Sequence, residues 1–166
     1  MQAKTERSQK LATAGTEYAV EQLGVLINDA REPSAPGYVR TLLSDLAKRG
    51  EASDIDVAII PANSLLPLQG QSYPHDEAHL QIPADLKQAV REGPRGSFVE
   101  QRLNLNVDGA GERLYLVFGR QMQEDWGELQ LYYFYPLDDV TRQAALVSNT
   151  ITITGLSLVI MLALLA

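Results

Sequence analysis

Apolar side chains in residues 2–31 recur three and four positions apart, at Ala12, Ala19, Leu23, Leu26 and Ala30 around Thr16, which is the spacing of one helix face. A second stripe of Leu11, Tyr18, Val20 and Val25 widens that face. The predicted long helix packs on its own domain, the plainer outcome, or also on a copy of itself. Pro33 and Pro36, followed by Gly37, break it, since proline cannot continue a helix and glycine lets the backbone turn. Residues 38–49 predict a second helix that buries Val39, Leu42, Leu43 and Leu46 and stops at Gly50.

The period then changes to two. Ile55, Val57 and Ile59 alternate with Asp56 and Ala58, a half-buried strand ending at Pro61. Residues 62–81 show no lasting period and predict a long, mobile surface loop. In IPADLKQAVREG, residues 82–93, Leu86, Ala89 and Val90 share a face, Pro83 suits a first turn and Gly93 ends the helix. Val99, Leu103, Leu105 and Val107 alternate with Glu100, Arg102, Asn104 and Asn106, and a turn at Asp108, Gly109, Ala110 and Gly111 leads to Leu114, Leu116 and Phe118. Leu129, Leu131, Tyr133 and Tyr135 form the last strand, which runs into Pro136. The order predicts an α+β fold, with the long N-terminal helix packed on one antiparallel sheet and helices on one face.

Residues 148–166 contain no charged side chain, and from Ile151 they read ITITGLSLVIMLALLA. That length is what a helix needs to cross a hydrocarbon core of about 30 Å, so a C-terminal transmembrane helix is expected. The sequence stops at the edge of this span, which reads as a piece of a longer protein continuing across the membrane. Before the span stand Asp138, Asp139 and a lone Arg142, a flank that is not positive and so favours an extracytoplasmic domain in a cell membrane. The first fifteen residues have no apolar run behind their basic residues, hence no secretory signal.

Composition removes several functions. The net charge is −7 and the Lys and Arg residues are scattered, which argues against a nucleic-acid partner. With no cysteine there is neither a disulfide framework nor a thiolate metal site. His75 and His79, four apart in HDEAH, resemble half of a zinc motif, but Asp76 stands where a metalloprotease has Glu, and Pro74 and Gly70 oppose a stable helix. A solvated acidic loop is the plainer reading of this stretch, and metal binding or pH sensing is the alternative. The glycines of 93–96 and 109–111 lack the following Lys-Ser/Thr of a phosphate cradle and read as turns. No G-x-S-x-G elbow occurs, and no cofactor site is expected. In the run Tyr132, Tyr133, Phe134 and Tyr135, alternation sends half of the rings to the core and leaves the others for a ligand pocket or the headgroup region.

The run IPADLKQAVREG, followed by GELQLYYFYPLDDVTRQAALV and an apolar segment, resembles the extracytoplasmic region of the MtrB-type sensor histidine kinases of mycobacteria and corynebacteria. The resemblance implies a PAS-like, single-Cache-type sensor domain in a dimeric membrane kinase that uses ATP and Mg in a cytoplasmic core, phosphorylates a response regulator and answers osmotic or cell-wall stress. It also implies contact with a membrane lipoprotein or cell-wall component, and it carries over no ligand residues. The expected organisation is a helix over 1–32 continuing an upstream membrane helix, a sensor domain over 33–139, and a linker and transmembrane helix over 140–166. Signal would pass through Pro136, Asp138, Asp139 and Arg142. A single-pass or tail-anchored protein with a partner-binding domain is the competing class, and a metallohydrolase built on His75 and His79 a third.

Overall fold

Helical spacing in the first half of the chain produces two helices. In the computed structural model, which describes residues 2–28, 36–49, 55–64, 69–107, 109, 111–124 and 127–137, these are α1 (Gln2–Asn28) and α2 (Pro36–Arg49). The predicted stripe of α1 is buried at Ala12, Thr16, Ala19 and Leu23, and the Thr16 hydroxyl is satisfied by the Ala12 carbonyl at 2.8 Å. The widening stripe fades toward the helix end, where Val25 is 58% exposed. Pro36 is the first residue of α2, where its missing N–H costs nothing, and Lys48 and Arg49 close the last turn against the helix dipole. Arg49 also lies over the Tyr18 ring, 3.9 Å from its centroid, tying α2 to α1.

The alternating segments build one five-stranded antiparallel sheet from β1 (Asp56–Ser64), β2 (Gln71–Tyr73), β3 (Val99–Leu105), β4 (Arg113–Glu124) and β5 (Gly127–Pro136), in the order β2-β1-β5-β4-β3. With α1, α2 and α3 (Ala84–Glu92) this makes an α+β unit. The first and last strands pair at its centre, with Val57 opposite Tyr133 and Ile59 opposite Leu131. The β3–β4 turn uses positive φ at Gly109 (74°) and Gly111 (123°), values that side-chain-bearing residues rarely adopt.

The sheet carries helices on both faces, not on one. Leu129, Leu131, Tyr133 and Tyr135 of β5 lie on the face of α1, where Tyr135 donates a 3.3 Å hydrogen bond to the Ser8 carbonyl. Gly15 lets α1 come close there, because a Cβ at that position would stand 2.5 Å from the Tyr133 hydroxyl oxygen. On the opposite face Tyr132 and Phe134 join Tyr115, Val117, Leu86, Val90, Ala78 and Ile82 in a second buried cluster. There Gln130 donates to the Lys87 carbonyl at 3.0 Å, and a Cβ on Gly119 would meet Val90 Cγ2 at 2.5 Å, so glycine sets how near α3 lies to the sheet. All four residues of the aromatic run are therefore core, two on each face. Alternation could not show this, because tyrosine and glutamine are equally at home on a wet face.

The 62–81 stretch is the second departure. Its first residues, 62–64, continue β1 past the expected end at Pro61, with a register shift between Pro61 and Asn63, 65–68 lie outside the described residues, and 71–82 is packed structure rather than a mobile loop. β2 pairs with β1 through Tyr73, Ser72 and Gln71, and a 3-10 helix at Ala78–Gln81 drops Ala78 and then Ile82 into the α3-face core. A three-residue strand is too short to display a period, which is why the sequence reads there as irregular. α3 itself begins one residue later than its pattern predicts, with Pro83 at the N-cap, and Gly93 leaves it with ordinary extended angles rather than a left-handed cap. Among the described residues no helix is long and apolar enough to cross a membrane, and the predicted span at 148–166 lies outside them.

Candidate functional site

Two places in the fold gather polar chemistry. The first holds both histidines. Asp56, at the start of β1 and 2% exposed, accepts hydrogen bonds from the His75 backbone N–H at 3.1 Å and from its ring Nδ1 at 2.8 Å. Ser72, on β2, donates to the His75 carbonyl at 2.7 Å, accepts from the His79 backbone N–H at 3.3 Å and lies 3.2 Å from His79 Nδ1. Since its single proton goes to the carbonyl, the His79 ring must donate at Nδ1. Arg40 of α2 meets Asp76 at 2.6 Å and lies over Tyr73, an exposed contact that adds little stability.

This arrangement resembles a hydrolytic triad only in its residue types. Asp56 orients His75, whereas Ser72 meets His79, so no imidazole links the acid to the hydroxyl, and the hydroxyl is already donated. The two rings have separate partners, and among the described residues no group of three or more His, Cys, Asp or Glu could hold a metal ion. What the contacts do is fasten 72–79 to β1. Replacing Asp56 by alanine should strand the His75 N–H and cost about 1–3 kcal/mol, with faster amide exchange across 71–82. Unchanged exchange there would show that the segment is held by its apolar anchors Ala78 and Ile82 instead.

The second place is a cavity that the sequence did not reveal. β3 begins to pair with β4 at Val99 and Gly119, while β4 and β5 continue as a two-stranded ribbon to Glu124 and Gly127. Residues 120–124 of β4 thus have no β3 partner on their outer edge. The chain between α3 and β3 passes this edge in a turn closed by the Ser97 N–H and hydroxyl on the Pro94 carbonyl, at 3.1 and 2.6 Å. Between them is a cavity of about 490 Å³, lined by Arg91, Arg95 and Arg120, by Gln121, Gln123 and Glu128, and by Thr16 and Val20 of α1.

Arg120 is held over the Phe98 ring at 5.4 Å, and Phe98 packs edge-on to Phe118. None of the three arginines is in an ion pair among the described residues. Gln121 Oε1 is buried and accepts no hydrogen bond. Burial pushes the phenols of Tyr132 and Tyr133 far up from their ordinary range, with Arg91 pulling the first the other way and Thr16, then Arg120, the second.

No protein-family model and no curated protein matches the chain. Among solved structures it is similar to the sensor domain of the zinc-responsive histidine kinase CzcS from Pseudomonas aeruginosa, at 14% identity and a TM-score of 0.30, covering 73% of this chain and 91% of that one. At this similarity the match assigns no residue a role, and the zinc response named for CzcS is that protein's own.

Of the residues expected to couple the domain to a membrane, Pro136 is the last residue of β5, paired with Tyr115 of β4. Asp138, Asp139 and Arg142 lie outside the described residues. The cavity arginines escaped sequence reading because they look scattered, at 91, 95 and 120, and converge only through the tertiary fold. Residues 93–97 do form the expected turn, and that turn supplies Arg95.

Proposed function

We propose that the chain is the extracytoplasmic sensor domain of a membrane-bound two-component histidine kinase, itself without catalysis, and that its fold is of the PAS-like, single-Cache type. The observation that carries the reading is the hydrogen bond from Tyr135, near the end of β5, to the Ser8 carbonyl, near the start of α1. It puts the entry and exit of the domain side by side. A domain inserted between two membrane helices needs that geometry, and the uncharged segment at 148–166 supplies the expected second helix.

In the proposed parent, MtrB-like in its envelope or osmotic role, paired N-terminal helices form a homodimer in which small helix shifts switch between discrete arrangements. ATP and Mg belong to a cytoplasmic core that phosphorylates a response regulator, and a membrane lipoprotein or cell-wall component is the proposed outer partner. Pro136 and the linker through Asp138, Asp139 and Arg142 act as a stiff joint. A short glycine insertion after Asp139 in the full-length kinase is expected to abolish the response to osmotic or cell-wall stress while expression, membrane insertion and the domain's melting stay normal. A normal response from that variant would mean that the signal does not pass through this domain.

A further inference from the structure

Beyond Gly119, where pairing with β3 ends, residues 120–124 of β4 keep β5 on one side and have no strand on the other. Among the described residues no turn or loop backbone hydrogen bond reaches this stretch. In an antiparallel strand every second residue turns its N–H and C=O outward, so a free edge is a template for one more extended chain. The cavity of about 490 Å³ lies along this edge, walled by Gly93, Arg95 and Gly96 of the turn that follows α3.

The basic groups stand on both faces of the edge. Arg120 pairs with Leu131, which places it on the α1 face of the sheet, and its guanidinium lies over the Phe98 ring at 5.4 Å. Arg91, in the last turn of α3, comes from the opposite face, where Leu86 and Val90 of that helix pack with Tyr132. Two arginines on opposite faces of a strand do not share a small ligand. Consecutive side chains of an extended peptide, by contrast, point to opposite faces and reach one arginine each. Three guanidinium groups against the single carboxylate of Glu128 line the cavity, in a chain whose net charge is −7, so the complementary peptide is acidic.

We propose that the free edge of β4 at 120–124 takes up an extended acidic peptide as an added strand, with one carboxylate on Arg120 and that of the next residue on Arg91. Main-chain hydrogen bonds to the edge supply affinity, and the two-faced placement of the arginines supplies the preference for adjacent acids. Arg95 adds positive charge from the facing wall. Docking stands independently of the kinase reading.

The test titrates the full 166-residue chain in mild detergent with blocked, fluorescently labelled hexapeptides and reads anisotropy and amide exchange. Thr-Val-Glu-Glu-Val-Thr, with its acids on opposite faces, should bind saturably with a Kd on the order of 0.1 mM or tighter. Its isomer Thr-Glu-Val-Glu-Val-Thr, with both acids on one face, should bind severalfold more weakly, and a copy of the first peptide with methylated backbone nitrogens should not bind. Arg91→Gln, at an exposed position, and Arg120→Gln should each weaken binding about tenfold. Bound peptide should slow amide exchange across 120–124 in the wild-type chain, a readout that needs no variant. The proposal is overturned if binding does not saturate by ~1 mM, if the isomers or the methylated copy bind equally well, if the arginine variants bind as wild type does, or if exchange at 120–124 is unchanged. Exchange there that is already slow in the free chain, and slows further as protein concentration rises, would mean that a second copy holds the edge, and would overturn the peptide as its occupant.

Discussion

Replacing Phe134 by alanine is expected to destabilise the domain by about 3–5 kcal/mol, a large share of the roughly 5–15 kcal/mol that holds a typical domain together. Phe134 is on β5, the middle strand of the sheet, with 0% of its surface exposed. It packs edge-on to Tyr115, with ring centroids 6.5 Å apart and planes at 88°, inside the cluster that joins β1, β4 and β5 to α3. Truncation removes the ring's burial and leaves a hole that a sheet hydrogen-bonded on both sides cannot close. Phe134→Leu keeps most of the volume and should lose roughly half as much or less. Urea titration of both variants checks this. Wild-type stability in Phe134→Ala would mean that the α3 face is wet, and the two-faced packing of the sheet would be wrong.

Raising the pH should unfold the domain more steeply than its size alone explains. Tyr132, Tyr133 and Tyr135 are buried, and burial, the largest cause in each case, drives their phenols well above the ordinary value near 10. In the unfolded chain these groups lose their protons near that ordinary value, and in the folded chain they keep them. A raised folded pKa contributes stability that is whole below about pH 10 and is lost as the pH climbs toward the folded value. Each phenol adds a slope of up to about 1.4 kcal/mol per pH unit, so three together approach ~4 kcal/mol per unit.

Between neutrality and about pH 9 these groups should leave stability flat, with phenolate absorbance appearing together with unfolding above that. Tyr133→Phe should flatten the alkaline slope by about a third. It should cost little at neutral pH, because the neighbour of the buried hydroxyl it removes, Thr16, already gives its own proton to the Ala12 carbonyl. An unchanged slope in that variant, or phenolate forming in the folded domain, would contradict the burial of these rings.

Most of the elements were legible because their patterns are local. The spacing of Ala12, Ala19 and Leu23 marks α1, that of Leu42, Leu43 and Leu46 marks α2, and the alternation at 55–59, 99–107 and 129–135 marks three of the strands. β2 was hidden because three residues carry no period, and its partners, Ser72 to the His75 carbonyl and His75 to Asp56, are contacts that no spacing announces. The second buried face was hidden for another reason. Gln130 and Tyr132 look polar, and they become core residues only where the Lys87 carbonyl and each other satisfy their hydrogen bonds.

By itself the sequence determined the three α-helices and four of the five strands, the α+β class, the acidic balance that disfavours nucleic acid, and the lack of cysteine, because each is a property of neighbouring residues or of composition. Only the tertiary structure decided that α3 covers the face opposite α1, that Tyr135 meets Ser8, and that Arg91, Arg95 and Arg120 share one cavity with Gln121. Those facts depend on where β3 stops pairing with β4 and on how close Gly119 lets α3 approach the sheet. Both are consequences of packing between segments distant in the chain, and no local period encodes them.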